Sequence, residues 1–425
     1  MEIKELYSLY KQNYKVTTDT RSDLDHSIFF ALKGDNFNGN KYAEDALNKG
    51  ALYAVVDEEA YQTNEHIILV DDVLLCLQNL AKYHRQQLNI PVIALTGSNG
   101  KTTTKELIHA VLKEEYLCAA TKGNLNNHIG VPLTLLAIQP KTDIAVIEMG
   151  ANHPEEIAAL CEIALPDFGY ITNFGRVHLE GFKSLEGVIK AKTELYEHLK
   201  KNSKVVFVNT FDEVQVDKSQ GMNVISFGGD NAKFPVAFVS ADPFVTVSFN
   251  DTKVYSQLIG KYNYLNIATA VAFGKYFEVK DALIKKAIEN YIPSNNRSQI
   301  IIKGNNKIIL DAYNANPNSM AVALENLFQL TDKNKIAILG DMFEIGKNTA
   351  QEHQIIADLT KSSEIKKAFL IGSAFFETAS DNSHVLKFKT FEDFTKYLGD
   401  HPIENATILI KASRGMALER LQDLL

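Results

Sequence analysis

A short glycine-rich stretch near residue 100 constrains the fold more than any other part of the chain. An apolar run at residues 92–95 is followed by Gly97 and Gly100, and Lys101 then opens a segment with helical periodicity. This order predicts a buried strand, a tight turn and a helix, because glycine adopts positive φ and lets the backbone approach a ligand closely. Backbone N–H groups at such a turn converge on an anion. We therefore expect a phosphate-binding loop.

The spacing of this loop differs from that of the commonest phosphate loop. The pattern G-x-x-x-x-G-K-[ST] requires glycine where this chain has Leu95, so the motif here is the shorter G-x-x-G-K-T-T. The lysine would still neutralise the β- and γ-phosphates, and the Thr102 hydroxyl suits a Mg²⁺ shell. The alternative interpretation is an ordinary strand-to-helix turn. The residues expected to contact ATP in this loop are Gly97, Ser98, Asn99, Gly100, Lys101, Thr102 and Thr103.

Length, charge and cysteine content limit the class of protein. A chain of 425 residues with 45% hydrophobic residues is too long for one core, and predicts about three domains. A formal net charge of −8 without any long basic run argues against nucleic acid or an anionic membrane as the main partner. Cys76, Cys118 and Cys161 lack metal-ligand spacing, and no apolar run approaches the roughly 20 residues that span a bilayer. We expect a cytoplasmic protein that does not insert into membranes.

Alternating strand and helix patterns predict an α/β fold with three domains. Residues 1–88 contain short strands separated by polar loops, and form a small α/β domain. Residues 89–295 predict a mostly parallel sheet with right-handed crossovers, to which the less regular stretch 211–256 adds antiparallel strands. Residues 296–425 begin with a predicted hairpin and continue as a Rossmann-like domain without a phosphate loop, ending in a helix that reaches Leu425.

Polar residues follow the predicted central strands, at the sheet edge where open α/β proteins bind ligands. Glu148 directly follows one strand, where a carboxylate can share Mg²⁺ with Thr102, and His178 follows the next strand. The structural alternatives are a loop-capping carboxylate and a histidine that only packs. Lys190 and Lys192 lie on a predicted helix, and by residue type alone they are solvent-exposed.

A second polar cluster occupies residues 311–319, between a predicted strand and a helix that starts beyond Pro317. It combines a carboxylate, Asp311, with a phenol, Tyr313, and several amides. Such a set can bind a sugar and a base. The alternative is that Asp311 and Asn318 only turn and cap the chain.

Several strings, in order along nearly the whole chain, resemble the Mur ligases. They are residues 96–104, 124–132, 148–151, 191–194, 263–266 and 340–342. Within the family, the string Tyr-Asn-Ala-Asn-Pro at residues 313–317 is similar to that of members which add D-alanyl-D-alanine, whereas relatives that add other amino acids usually have Tyr-Ala-His-x-Pro. Tyr262 stands where the family commonly has His, Ala412 where it has Gly, and Asn40 where His or Asp is expected.

The resemblance implies an ATP-dependent amide ligase of peptidoglycan precursor synthesis. ATP would phosphorylate the C-terminal carboxylate of UDP-N-acetylmuramoyl-tripeptide, and the D-alanyl-D-alanine amine would attack the acyl phosphate. Catalysis would depend on Lys101, with one Mg²⁺ held by Thr102 and Glu148, and a second held by His178 and Lys192. Lys192 matches the lysine that the family carbamylates, which converts an ammonium into an oxyanion able to ligate Mg²⁺. This reverses the interpretation of Lys192 from its residue type.

The same resemblance assigns the remaining binding residues. Asn263, Asn266, Arg297 and Asp311 would complete the ATP site, and Thr20, Arg21, Asn126 and Asn127 would bind the UDP-substrate. It also implies that the first domain binds the UDP-sugar and that the third binds the incoming amine. Separately, we expect a monomer. Two other hypotheses stay open: a sibling Mur or folylpolyglutamate-type ligase, and a non-catalytic nucleotide-binding regulatory protein.

Overall fold

Parallel sheets follow one another along the chain, in a computed structural model that describes all residues from 1 to 425. The first sheet has the strand order β1-β2-β5-β6 and is parallel throughout, while β3 and β4 form a separate hairpin. The elements of this part are α1 (Ile3–Tyr10), β1 (Val16–Thr17), β2 (Ile28–Phe30), β3 (Lys33–Gly34), β4 (Phe37–Asn38), α2 (Ala43–Asn48), β5 (Tyr53–Val56), β6 (Ile67–Leu69) and α3 (Val73–Gln87).

The central sheet has seven parallel strands in the order β13-β12-β11-β10-β7-β9-β8. Its strands are β7 (Val92–Thr96), β8 (Cys118–Ala120), β9 (Ile144–Glu148), β10 (Phe168–Ile171), β11 (Val205–Asn209), β12 (Asn223–Gly228) and β13 (Phe234–Pro235). The helices are α4 (Lys101–Leu112), α5 (Gly130–Leu136), α6 (Glu156–Ala164), α7 (Leu179–Phe182), α8 (Leu185–Lys201), α9 (Glu213–Lys218), α10 (Asn263–Tyr276) and α11 (Asp281–Asn290). The predicted antiparallel strands are present as β14 (Ala237–Ala241), β15 (Phe244–Phe249) and β16 (Thr252–Ile259).

The position of β7 in this sheet determines where the site lies. It pairs with β9 on one side and β10 on the other, so that Leu95 stands opposite Glu148, and Thr96 opposite Ile171. The carboxyl ends of the three strands therefore meet at one edge, as expected for a ligand site in a parallel sheet.

The last sheet has the order β17-β18-β22-β19-β20-β21, and only β17 is antiparallel. Its elements are β17 (Gln299–Lys303), β18 (Asn306–Leu310), α12 (Pro317–Gln329), β19 (Lys335–Gly340), α13 (Thr349–Leu359), β20 (Lys367–Ile371), α14 (Ser373–Phe376), β21 (Val385–Phe388), α15 (Phe391–Asp400) and β22 (Thr407–Lys411). The predicted hairpin and α/β fold class are confirmed. The predicted last α-helix is wrong: two 3₁₀ segments stand there, because Ala417 between them has φ +49°, which an α-helix cannot continue.

One apolar core joins the first part of the chain to the central sheet. Tyr10 of α1 and Leu77 of α3 are buried in the same cluster as Leu135 and Val206. The Tyr10 hydroxyl also donates to the Leu136 carbonyl at 2.7 Å. The predicted boundaries 88/89 and 295/296 stay predictions. The apolar core continues across the first of them. No helix of the chain is long and apolar enough to cross a membrane.

Candidate active site

The loop between β7 and α4 has the backbone that its glycines predict. Gly97 has φ +137° and Gly100 has φ +79°. A methyl group on Gly97 would lie 2.0 Å from Thr172 Oγ1, and one on Gly100 would lie 2.7 Å from Asn266 Oδ1. Both positions therefore require glycine for space as well as for conformation.

Side chains at the end of β10 hold this loop in place. The Asn99 N–H donates to Asn173 Oδ1 at 3.0 Å, and the Asn99 carbonyl accepts from Thr172 Oγ1 at 2.6 Å. Lys101 curls back over the loop, where its ammonium donates to the Gly97 carbonyl at 2.7 Å. Desolvation in the cleft lowers the pKa of Lys101 to about 8 against the opposing effect of Glu148. The loop is a backbone turn with the Lys101 cation beside it, an arrangement that suits a polyphosphate.

Glu148 has one satisfied and one unsatisfied carboxylate oxygen. Its Oε1 accepts from Thr102 Oγ1 at 3.2 Å and from Asn126 Nδ2 at 2.7 Å. Its Oε2 is buried and has no hydrogen-bond partner. A buried carboxylate oxygen without a partner is costly, so the pair formed by Glu148 and Thr102 fits a hard cation.

Lys192 is buried on α8, which corrects the interpretation from its residue type. Only 1% of it is exposed, whereas Lys190 on the same helix is exposed. The Lys192 ammonium donates to the Ala151 carbonyl at 3.2 Å and lies 5.2 Å from the centre of the Phe182 ring. Burial, with the charge of Lys101 as a second cause, lowers the pKa of Lys192 to about 7. Burial therefore favours the neutral amine form of this side chain.

His178 contacts the last part of the chain. Its Nδ1 bonds to the carboxylate of Glu344, in the loop after β19. Burial is the largest influence on the His178 imidazole and lowers its pKa. Because Glu344 occupies Nδ1, the Nε2 atom is the nitrogen left for a ligand.

Asn263 and Asn266 lie behind the phosphate loop. Asn266 Oδ1 accepts from the Thr104 hydroxyl at 3.0 Å, and Asn266 Nδ2 donates to Asn263 Oδ1 at 2.7 Å. Asn263 in turn donates to the Ile259 carbonyl. Both residues also line the cleft. Their amides therefore support the loop from α10 while bordering the space in front of it.

Arg297 and Asp311, from the start of the last domain, also line the cleft. The Arg297 guanidinium carbon is 3.6 Å from the centre of the Tyr313 ring, and its buried Nε has no partner. Asp311 accepts from Lys411 Nζ at 2.6 Å and from the Ser298 N–H at 3.1 Å. Arg297 thus retains a free donor for an anion, whereas one oxygen of Asp311 bonds to a buried lysine.

One cleft of about 1010 Å³ brings most of the predicted residues together. Its lining includes Ser98, Asn99, Gly100, Lys101, Thr102, Thr103, Asn126, Asn127, Glu148, His178, Asn263, Asn266, Arg297 and Asp311. Lys192 lies just behind this lining, through its bond to Ala151. Thr20 and Arg21 are outside it, and the Arg21 side chain is 88% exposed and paired with Asp19. No group of three or more His, Cys, Asp or Glu side chains forms a preassembled metal site.

Several cleft residues were absent from the predicted set, and three of them contact residues from distant parts of the chain. Lys411 pairs with Asp311, Glu344 bonds to His178, and Asn316 contacts the phosphate loop. Asn316 lies inside the string 313–317, here called the diagnostic string because it differs among family members. Glu344 follows the string 340–342. The sequence therefore indicated the segments that contain both residues. Their partners lie 100, 166 and 217 residues away, which the sequence does not indicate.

Comparisons with known proteins agree with this geometry. Residues 95–274 match the family model for the Mur ligase middle domain, and residues 296–414 match the Mur ligase, glutamate ligase domain. A relative from Bacillus subtilis is 34% identical, over 96% of this chain and 92% of its own. A relative from Escherichia coli is 32% identical, over 96% of this chain and 92% of its own.

Solved structures give the same result. A crystal structure of MurF from Acinetobacter baumannii has a TM-score of 0.85 at 30% identity, and covers 96% of this chain and 93% of its own. A Thermotoga maritima MurF ligase in complex with ADP has a TM-score of 0.84 at 24% identity, with 96% of each chain covered. At this identity, the similarity supports only the fold.

The chain therefore belongs to the Mur ligase family, and the resemblance seen in its sequence is confirmed. Both curated relatives described above are UDP-N-acetylmuramoyl-tripeptide–D-alanyl-D-alanine ligases.

Proposed function

We propose that the chain joins D-alanyl-D-alanine to UDP-N-acetylmuramoyl-tripeptide at the expense of ATP, giving the pentapeptide precursor of peptidoglycan. One observation carries this proposal: the phosphate loop, Glu148, Arg297 and residues of the string 313–317 all line a single cleft. The extensive identity with ligases of this activity supports the same assignment. The intact Lys101 and Glu148 count against a non-catalytic regulatory protein.

The chemistry needs two anions to be held together. The tripeptide carboxylate attacks the γ-phosphorus of ATP, the bond to the β-phosphate oxygen breaks, and ADP leaves. The amine of D-alanyl-D-alanine then attacks the acyl phosphate carbon, phosphate leaves with the bonding electrons, and the amine loses a proton to solvent. Little acid–base help is required in the first step, but charge neutralisation and positioning are essential. Lys101 and Arg297 are cations that border this space, and Lys411, which also borders it, is paired with Asp311.

Mg²⁺ is part of the proposal. Thr102 and Glu148 would hold one ion, because a buried carboxylate oxygen without a partner stands beside a hydroxyl. His178 and carbamylated Lys192 would hold a second. When bound, Mg²⁺ supplies positive charge against the phosphate oxygens. The residues of the chain orient the tripeptide carboxylate and exclude water from the cleft.

Carbamylation of Lys192 is supported by its surroundings. CO₂ reacts with the neutral amine, and burial gives Lys192 a pKa of about 7. The product is a carbamate, with release of one proton. An exposed lysine with an ordinary pKa would be almost fully protonated at neutral pH and would react poorly.

The division of labour among the domains is proposed as follows. Residues 1–88, through Thr20 and Arg21, bind the UDP-sugar together with Asn126 and Asn127, and residues 89–295 bind ATP. Residues 296–425 bind the amine. Gln78 of α3 supports the first assignment, because it borders the same cleft and donates to the His128 carbonyl at 3.0 Å. We also propose that the enzyme is a cytoplasmic monomer.

Phosphate release from ATP tests this function. The assay contains Mg²⁺ and UDP-N-acetylmuramoyl-tripeptide, with D-alanyl-D-alanine, D-alanine, a diamino acid or no amine. We expect release that depends on both substrates, and a pentapeptide product by mass spectrometry. Release with another amine would assign a sibling ligase. ATP binding without release would favour the regulatory alternative.

Lys192→Ala tests the role of the buried lysine. We expect turnover to fall by more than about a hundredfold, because a metal-holding oxyanion is lost, with partial recovery on addition of a short carboxylate such as acetate. Lys190→Ala is the matched control, since it removes an exposed lysine from the same helix. Full activity of Lys192→Ala would remove this lysine from the mechanism.

A further inference from the structure

A single amide pair joins the last domain to the phosphate loop. The Asn316 side chain, just before α12, donates from Nδ2 to Asn99 Oδ1 at 2.8 Å. Asn99 stands between the two glycines of the loop, while Asn316 belongs to the diagnostic string 313–317. The two residues are 217 positions apart. The contact therefore exists only while the last domain lies against the loop.

The orientation of Asn316 is determined by its helix. Its Oδ1 accepts from the Ser319 N–H at 2.8 Å, and its own N–H donates to Ser319 Oγ at 3.0 Å, which is a capping box at the start of α12. Because the carbonyl oxygen is used by the cap, the NH₂ group is the one that faces Asn99. Asn316 is thus a fixed donor carried by a rigid element.

The Asn99 side chain is the part of the loop that faces the last domain. Its backbone N–H and C=O are bound by Asn173 and Thr172 of the central domain. Gly175 leaves room for the last domain to lie against the loop. A methyl group at this position would lie 3.1 Å from Asn318 Nδ2 and 3.3 Å from Asn99 Nδ2. The backbone of the loop is thus held by one domain, and its side chain is contacted by the other.

We propose that Asn316 is a positioning residue, which couples docking of the last domain to the phosphate-binding shape of the loop. It acts through Asn99, to which its side chain is hydrogen-bonded. The inference rests on the proposed function, because it gives the domain that carries the amine a means to influence phosphoryl transfer. In the docked arrangement the loop is held from both sides, and transfer is fast. Without the contact, ATP still binds but transfer is slow.

Asn316→Ser separates this role from helix capping. Serine is also a good N-cap and can accept from the Ser319 N–H, but it is too short to reach Asn99. Losing one such hydrogen bond corresponds to about a tenfold change in rate. We expect the rate of phosphoryl transfer in a single turnover to fall about tenfold, while the ATP dissociation constant, measured by calorimetry, changes by less than about twofold.

Arg176→Met is the matched control. Arg176 and Glu352 form another contact between the same two domains, at 3.8 Å, but they do not touch the phosphate loop. We expect this variant to keep the transfer rate of the unmodified enzyme. A tenfold loss in Arg176→Met as well would show that docking in general matters, and would overturn the specific role of Asn316.

A double-mutant cycle tests the path through Asn99. Once Asn99→Ala has removed the acceptor, adding Asn316→Ser should cause no further loss of rate. A further tenfold loss in the double variant, or a normal rate in Asn316→Ser alone, would contradict the proposal.

Hydrogen exchange tests the coupling without turnover. In the nucleotide-free protein, we expect faster exchange at residues 97–103 in Asn316→Ser, and unchanged exchange in Arg176→Met. Unchanged exchange in both variants would overturn the coupling. If the unmodified enzyme formed no pentapeptide, the proposed function would fall, and the exchange measurement would still decide this inference.

Discussion

The two domain junctions of this ligase differ in chemistry. The first 88 residues join the central sheet through a continuous apolar core, in which Leu77 and Tyr10 are buried with central side chains. Arg85 reinforces the junction, since its guanidinium donates to the Ala164 carbonyl at 2.9 Å and to Asp167 at 2.8 Å. Such a junction resembles the interior of one domain.

The second junction is polar and borders the cleft. The bonds across it include His178 with Glu344, Asn99 with Asn316, and Arg176 with Glu352. Exposed or half-exposed polar contacts of this kind contribute little to stability. From this comparison we expect changes at the first junction to act mainly on stability, and changes at the second to act mainly on the reacting groups in the cleft.

The largest effect is expected at the first junction. Tyr10→Ala removes a ring that is 1% exposed and a hydrogen bond to the Leu136 carbonyl, so we expect a loss of about 3–5 kcal/mol in the free energy of unfolding. Urea unfolding followed by circular dichroism measures this, because the chain has no tryptophan.

Tyr10→Phe is the matched control for this prediction. It keeps the ring and removes only the hydroxyl, and should cost about 1 kcal/mol. A near-native stability of Tyr10→Ala would mean that the first junction is not a core, and the contrast between the junctions would be lost.

The second junction is expected to show the opposite behaviour. Glu344→Ala removes the carboxylate that orients His178, so we expect turnover to fall about tenfold, as is typical when a residue supporting a ligand is lost. The free energy of unfolding should change by less than about 1 kcal/mol, because the Glu344 side chain is 54% exposed. Steady-state kinetics and urea unfolding on the same preparations measure both quantities. A large loss of stability with normal turnover would reverse the assignment.

The sequence predicted the elements far better than the contacts between them. Apolar runs such as Ile144–Glu148 and Lys335–Gly340 are strands with the expected bounds, because burial on both faces of a parallel sheet leaves a continuous hydrophobic signal. The two glycines of the phosphate loop were equally readable, since their conformation is a local property. The 3₁₀ segments at the end of the chain were not predicted, because the composition there favours a helix and only the left-handed conformation of Ala417 interrupts it.

The candidate site shows the same limit more clearly. The residue type of Lys192 indicates a solvated side chain, and only the packing of α8 buries it. Glu344 and Asn316 acquire their importance from partners in another domain. Long-range pairing of this kind has no periodicity and no spacing in the sequence. It follows from the tertiary structure alone.

The smallest effect concerns a buried histidine at the first junction. His84 is fully buried, where its Nε2 donates to the Ile138 carbonyl at 3.1 Å, and its Nδ1 accepts from the Tyr7 hydroxyl at 3.3 Å. Burial lowers the pKa of His84 in the folded state below its value of 6.5 in the unfolded chain. The unfolded state therefore binds the proton more readily, so this contribution to stability is present above about pH 6.5 and is lost as the pH falls towards the folded pKa.

His84→Gln should flatten that dependence, because glutamine still offers a donor and an acceptor but does not titrate. We expect the free energy of unfolding of the variant to fall less than that of the unmodified protein between about pH 7 and pH 5, when both are measured by urea unfolding. His66→Gln makes the same change at an exposed histidine and serves as the control. If the free energy of unfolding of His84→Gln depended on pH as steeply as that of the unmodified protein, burial at this junction would not oppose protonation of His84. The first junction would then be open to water, unlike a domain core.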